Sequence, residues 1–256
     1  MGRMQRATRV LFASGMIGLG LVGLRYGDFA AVWQSVPFRI PARDTITYAA
    51  AALMLLGGIG LLFERTAALC ARVLFFYLAL WVLLLRVPGV LKAPLVEVNW
   101  QAMAEIVVLL AGSWTLFATL DAPRDGAAPS FVAGERGVRF ARILFGLALP
   151  AFGLAHFVYL DQTAPLVPAR LPYHTGWAYL TGAAHIAAGF AVLLSIAPRL
   201  AATLEAVMLS AFTILVWIPA IVATPAAQPV WSELTISWAI SAGAWVVASA
   251  LSRRTA

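Results

Sequence analysis

Eight apolar stretches, each close to the length that crosses a bilayer, constrain this chain more than any motif in it. They run roughly over 9–27, 45–63, 67–86, 101–120, 142–160, 175–197, 201–222 and 232–251, and a spanning helix needs about 20 such residues. Hydrocarbon offers no partner to a backbone N–H or C=O, so a spanning segment must satisfy its own polar groups, as a helix does. A closed β-barrel would instead show alternating segments of about ten residues. Only 11% of the residues are charged against 62% hydrophobic, where a soluble domain carries roughly 25% charged residues. The chain reads as an all-α integral membrane protein with eight transmembrane helices. The opening "MGRMQRATRV" is a basic segment before an apolar run. No A-x-A-like exit follows it, so it reads as the start of the first span and not as a signal peptide.

The chain is also written twice. "VPFRIP" (36–41) and "VPARLP" (167–172) lie 131 positions apart, and at that offset Tyr48 meets Tyr179, Gly58 meets Gly189 and Pro88 meets Pro219. Trp100 meets Trp231, Gly112 meets Gly243 and Trp114 meets Trp245. The first helices align at an offset of 133, "RVLFASGMIGLGLVGL" (9–24) on "RILFGLALPAFGLAHF" (142–157). Four helices per half return the chain to its starting side, so the halves form a parallel repeat about an axis along the membrane normal. The expected organisation is a four-helix bundle over 1–120, a cytoplasmic linker over 121–139 and a second four-helix bundle over 140–256. The Pro- and Gly-rich "DAPRDGAAPSFVAGERG" (121–137) marks the linker.

With the N-terminus inside, the inner segments hold twelve of the eighteen basic residues and the outer segments six, among them Arg39, Arg43, Lys92 and Arg170. That bias places both termini in the cytoplasm of a bacterial-type inner membrane. It also accounts for the net charge of +7 through topology and anionic lipid, without nucleic acid. Cys70 is the only cysteine, so dithiol chemistry within the chain is excluded.

Each hexapeptide falls between the first and second helix of its half, on the outer side. Its two prolines forbid a regular helix. It reads as a stiff loop along the membrane with Arg39 or Arg170 at headgroup level and Phe38, Ile40 or Leu171 in the interface; a share in a ligand entrance is the alternative. "GLAHFVYLDQTAPLVPARLPYHTGWAYLTGAAHIAAGFAVLL" (153–194) resembles the DoxX-like family of small four-helix membrane proteins. The resemblance rests on Gly-x-x-His-Phe ending the first helix, the Val-Pro…Leu-Pro loop and Trp-x-Tyr-x-Thr-Gly opening the second. The first half resembles the family more faintly, as the other member of a tandem pair. The resemblance implies a quinone-linked or accessory role beside a partner oxidoreductase or membrane complex. Such proteins often carry a Glu within the second helix, where this chain has His185 and, in the other copy, Met54.

Polar residues inside the membrane are costly and mark partners or cavities, most of all where only one copy has them. His156 stands opposite Gly23 in the alignment, His185 opposite Met54, Glu105 opposite Ile236, Glu205 opposite Leu74, and Arg86 opposite Trp217. His156 and His185, with Trp177, Tyr179 and Arg170, are the candidate ligand-binding residues of the second half, widened by a kink at Pro150. The alternative is that each imidazole is only a hydrogen-bond partner between helices. The topology puts His156 about one turn below the outer surface and His185 roughly 15 Å deep, and that difference disfavours a bis-His haem. No compact metal centre is expected. Arg25, Arg86 and Glu105 form an expected polar cluster of the first half, an ion pair sealing the bundle or a proton or anion site. Glu205 is expected to reach toward Arg199.

The leading functional expectation is a redox-associated accessory or anchor that binds quinone or another lipophile near the outer leaflet. A non-catalytic scaffold or assembly factor and a small-solute transporter are the alternatives. No phosphate loop, zinc spacing or flavin domain points to an autonomous enzyme.

Overall fold

The computed structural model describes residues 2–30, 33–34, 36, 40–121 and 132–251. Phe38 and Arg39 of the first hexapeptide, most of the expected linker, and Arg253 and Arg254 lie outside the described residues. The elements are α1 (Arg3–Tyr26), α2 (Arg43–Leu62), α3 (Glu64–Lys92), α4 (Glu97–Leu120), α5 (Gly134–Val158), α6 (His174–Leu193), α7 (Pro198–Ala223) and α8 (Gln228–Ala250). A short helical passage over 160–166 joins α5 to the second hexapeptide. Seven of these helices, α1 to α7, are long and apolar enough to cross a membrane, as a multi-pass membrane protein requires. The eighth, α8, is 23 residues long, but its four serines, Thr235 and Glu233 leave it less apolar.

The repeat extends to backbone detail. α3 widens into a π turn at Val82–Arg86 and α7 does so at Thr213–Trp217, 131 positions on. Pro88 and Pro219 follow directly. A proline ring clashes with the carbonyl one turn back and offers no N–H; the wider turn lets each helix run past its proline. Ala42 and Tyr173, the residues before α2 and α6, are both left-handed, with φ 54° and 57°. Trp100 Nε1 donates to the Pro94 carbonyl at 2.8 Å, and Trp231 Nε1 donates to the Pro225 carbonyl at 2.8 Å, each tying the start of a fourth helix to the preceding loop. Trp100→Phe and Trp231→Phe should therefore cost equal amounts, about 1 kcal/mol each, in unfolding titrations in detergent. A clear loss in one copy and none in the other would deny that the two ties are equivalent.

The halves interlock. Within each half helix one packs on helix two, two on three and three on four; but helix four of the first half, α4, packs on α5, and helix four of the second, α8, packs on α1. The eight helices thus form one closed ring, with α4 and α8 also touching across its centre. A Cβ on Gly112 of α4 would come 2.8 Å from the Gly243 Cα of α8, so the two backbones cross at paired glycines. Thr8 and Ser249 hydroxyls meet at 3.3 Å, and Trp238 donates to Ser14 at 2.9 Å, across the α1–α8 seam. One core cluster includes Phe12, Leu74 and Leu109 from the first half with Phe145, Leu209 and Val247 from the second. The two four-helix repeats of the sequence thus share one core. Pro150 sits inside an unbroken α5, and a Cβ on Gly189 would meet its ring at 2.8 Å.

Candidate functional site

Close contact between α5 and α6 sets the site. A Cβ on Gly153 would come 2.5 Å from the Gly182 carbonyl oxygen, and one on Gly182 would come 2.8 Å from His156 Cβ. The first copy makes the same crossing with the sizes exchanged, Gly23 against Ala51. The second copy removes a methyl from helix two and places an imidazole on helix one.

That contact fixes the level of the histidines. Gly182 faces His156, and His185 lies three residues further along α6, less than one turn away. The His156 and His185 rings are 5.3 Å apart, centre to centre, tilted by 47°. The expected difference in depth is thus wrong. α6 begins eight residues before Gly182, whereas α5 ends two residues after His156. At about 1.5 Å per residue, α6 projects roughly 9 Å beyond the end of α5. The passage over 160–173 climbs that distance.

Glu205 is the partner that sequence reasoning placed wrongly. It does not reach toward Arg199; it is 1% exposed, and its Oε1 lies 2.6 Å from His185 Nδ1. Its Oε2 has no hydrogen-bond partner among the described residues. An unpaired polar group is costly at such a place, and each of the two is the other's partner. With the imidazolium beside a carboxylate, or with Oε1–H donating to Nδ1 of a neutral ring, His185 Nε2 carries a proton and can donate. His156 Nδ1 lies 3.2 Å from Thr181 Oγ1, whose own proton is directed to the carbonyls of Trp177 (2.9 Å) and Ala178 (3.1 Å). Nδ1 is therefore the donor and Nε2 the acceptor in a neutral His156. Phe212 packs on both imidazoles, 6.0 Å from His156 and 5.9 Å from His185.

The two histidines line a cavity of about 640 Å³. Val167, Pro168 and Leu171 of the second hexapeptide form part of its wall, and exposed Leu166, Leu180 and Leu215 stand at its rim. The opposite wall belongs to the fourth helices, with Gln101 and Glu105 from α4 and Glu233 and Ser237 from α8. Of the expected ligand residues, His156, His185 and Trp177 are brought together here. Tyr179 is exposed and stacked on Phe157 at 5.6 Å, and Arg170 is exposed; neither lines the cavity. Of the expected first-half cluster, Arg86 and Glu105 are buried and within electrostatic reach of each other. Arg25 is exposed, its guanidinium over the Tyr26 ring at 5.4 Å. Glu105 faces the cavity of the other half. Among the described residues no group of three His, Cys, Asp or Glu is placed to hold a metal ion.

The equivalent space in the first half is filled. Trp81 stands where α7 has Phe212, and Phe29 packs against it at 5.7 Å. Gln34 reaches Tyr77, the counterpart of cavity-lining Met208. Phe29, Trp33 and Gln34 are all buried, so among the described residues these three stand in the room that the second half leaves open.

Residues 145–252 match a family model described as a domain of unknown function, DUF8561. The matched segment holds His156, His185, Glu205 and Glu233 but not Glu105. Comparison with curated proteins and with solved structures gives no match.

Proposed function

We propose that this chain is a DoxX-like, redox-associated accessory or anchor protein of a bacterial-type inner membrane, holding quinone or another lipophile in the cavity of its second half. All eight helices span in this reading, with both termini cytoplasmic and the cavity toward the outer leaflet. The less apolar α8 is sheltered by α1, α4 and α7. The observation that carries the reading is the 640 Å³ cavity, within the usual range for small-ligand sites, with two imidazoles 5.3 Å apart in its wall and exposed leucines at its mouth. His185 Nε2 offers a donor and His156 Nε2 an acceptor. A quinone oxygen accepts in one oxidation state and donates in the other, so these two residues fit it in both. An apolar tail can leave past Leu180 and Leu215. A bound quinone would supply electron transfer; the chain's own contribution is to orient the ring and keep water from it. The partner that would exchange electrons with it is a membrane oxidoreductase.

One observation favours the scaffold reading instead. His185 and Glu205 satisfy each other through the 2.6 Å contact, which a purely structural hydrogen bond between α6 and α7 also explains.

The test is mass spectrometry of organic extracts from purified wild type, His156→Ala and His185→Ala. The expected result is one defined lipophile near stoichiometric in wild type and depleted in both variants. Bulk phospholipid alone in all three proteins would favour the scaffold.

A further inference from the structure

The cavity has a second polar wall that the histidines do not explain. Glu105 is 8% exposed, lines the cavity and has an Oε2 without a hydrogen-bond partner among the described residues. It lies in the field of Glu233, which lines the same wall, and of Arg86. Among the described residues lining the cavity none is Lys or Arg, so two carboxyl groups face it with no base in the same wall. A carboxylate facing an apolar space is stable only with a counter-charge or a proton. The other walls carry Phe152, Trp177, Phe212 and Trp217, and aromatic faces attract cations. An unpartnered carboxyl oxygen, a second carboxyl in the same wall and an aromatic surround all ask for one ligand chemistry: a positive group with N–H donors on an apolar body.

We propose that the Glu105–Glu233 wall binds the ammonium group of a lipophilic amine. The amine is either a free molecule entering past the leucine rim or the headgroup of an aminophospholipid. This uses the same cavity as the reading above but a different wall, so the two can fail separately.

The experiment is isothermal titration of the protein in phosphatidylglycerol nanodiscs with 4-phenylbutylammonium, beside the uncharged 4-phenylbutanol. Saturable binding of the ammonium and not of the alcohol is expected. Glu105→Gln and Glu233→Gln should each weaken it about tenfold or more, as loss of a charge-assisted hydrogen bond does. Glu233→Asp keeps the charge and should keep most of the affinity, which separates loss of charge from loss of fold. Competition by phosphatidylethanolamine in the disc identifies a lipid headgroup as the source; its absence identifies a free amine; both support the assignment. No saturable ammonium binding in wild type, or equal binding by the glutamine variants, overturns it. If the amine binds in His156→Ala and the extracts show no defined lipophile, the quinone reading falls and this one stands.

Discussion

Glu205→Leu alone should destabilise the protein by about 3–5 kcal/mol, the range for breaking a buried charged pair, while His185→Met added to it should restore most of the loss. The first copy supplies the reason. At the same two places it buries Met54 and Leu74, 1% and 0% exposed, so an apolar pair is a known solution to this packing problem. The single variant leaves His185 Nδ1 without its partner at a level where water does not replace it. The double variant has no polar group left to satisfy. A residue of about 1–3 kcal/mol should remain from overpacking, and its source can be named. Ala188 of α6 stands where α2 has Gly57, and a Cβ on Gly57 would come 2.9 Å from Leu74. Adding Ala188→Gly should remove that remainder. The measurement is an unfolding series in detergent read as a double-mutant cycle. Additive losses, with no recovery in the double variant, would mean that the His185–Glu205 contact contributes nothing specific. The same double variant should lose its lipophile despite its recovered stability, which tells site from scaffold.

Gly153→Ala and Gly20→Ala should each cost about 1–3 kcal/mol, and the first should also empty the cavity. The added methyl at 153 would meet the Gly182 carbonyl oxygen at 2.5 Å, and at 20 it would meet the Leu55 nitrogen at 2.6 Å and the Ala51 carbonyl oxygen at 2.7 Å. These neighbours are backbone and cannot rotate aside, so the helices must separate. In the second half that separation moves His156 away from His185; in the first half the corresponding room holds buried Phe29, Trp33 and Gln34 among the described residues. Gly89→Ala is the control. Nothing lies within 4 Å of its added methyl, and alanine is the better helix former by about 1 kcal/mol. Thermal midpoints should fall for the first two variants and hold or rise for the third. Lipophile content should fall only for Gly153→Ala. Equal behaviour of all three would refute the view that close backbone approach holds these pairs together.

How far the sequence could be read depended on whether the information was local. Helix positions and the duplication are written in runs of apolar residues and in rare residue types, so Trp100 with Trp231 and Pro88 with Pro219 were legible. The π turns beside those prolines were not, because spacing alone does not say whether a proline kinks a helix or is absorbed by a wider turn. The interlocked ring was hidden for another reason. Which apolar face of α4 meets α5 depends on shape, and Gly112 reads the same whether it faces Gly243 or lipid. His156 and His185 were legible as membrane-buried polar residues present in one copy only but were set at different depths, since the estimate assumed that α5 and α6 end at one level. Glu205 was paired with the nearest basic residue in sequence. A sharper signal was present: Met54 and Leu74 change together to His185 and Glu205, and Gly23 and Ala51 change together to His156 and Gly182. Paired exchanges between copies point to side chains that touch. Glu233 carried no such mark, because its counterpart, Ala102, gives no hint of a cavity.

The filled pocket beside Phe29 and Trp33 has a consequence for the whole molecule. Two separate four-helix units arranged about this ring's pseudo-axis would be identical, and whatever opening one had, the other would have as well. Fusion into one chain lifts that restriction. One copy can fill its space with its own Phe29 and Trp33 while contributing Glu105 to its neighbour, and the neighbour can leave the corresponding space open. The ring then has two unlike sides, one holding the cavity lined by His156 and His185 and the other packed around Phe29 and Trp33.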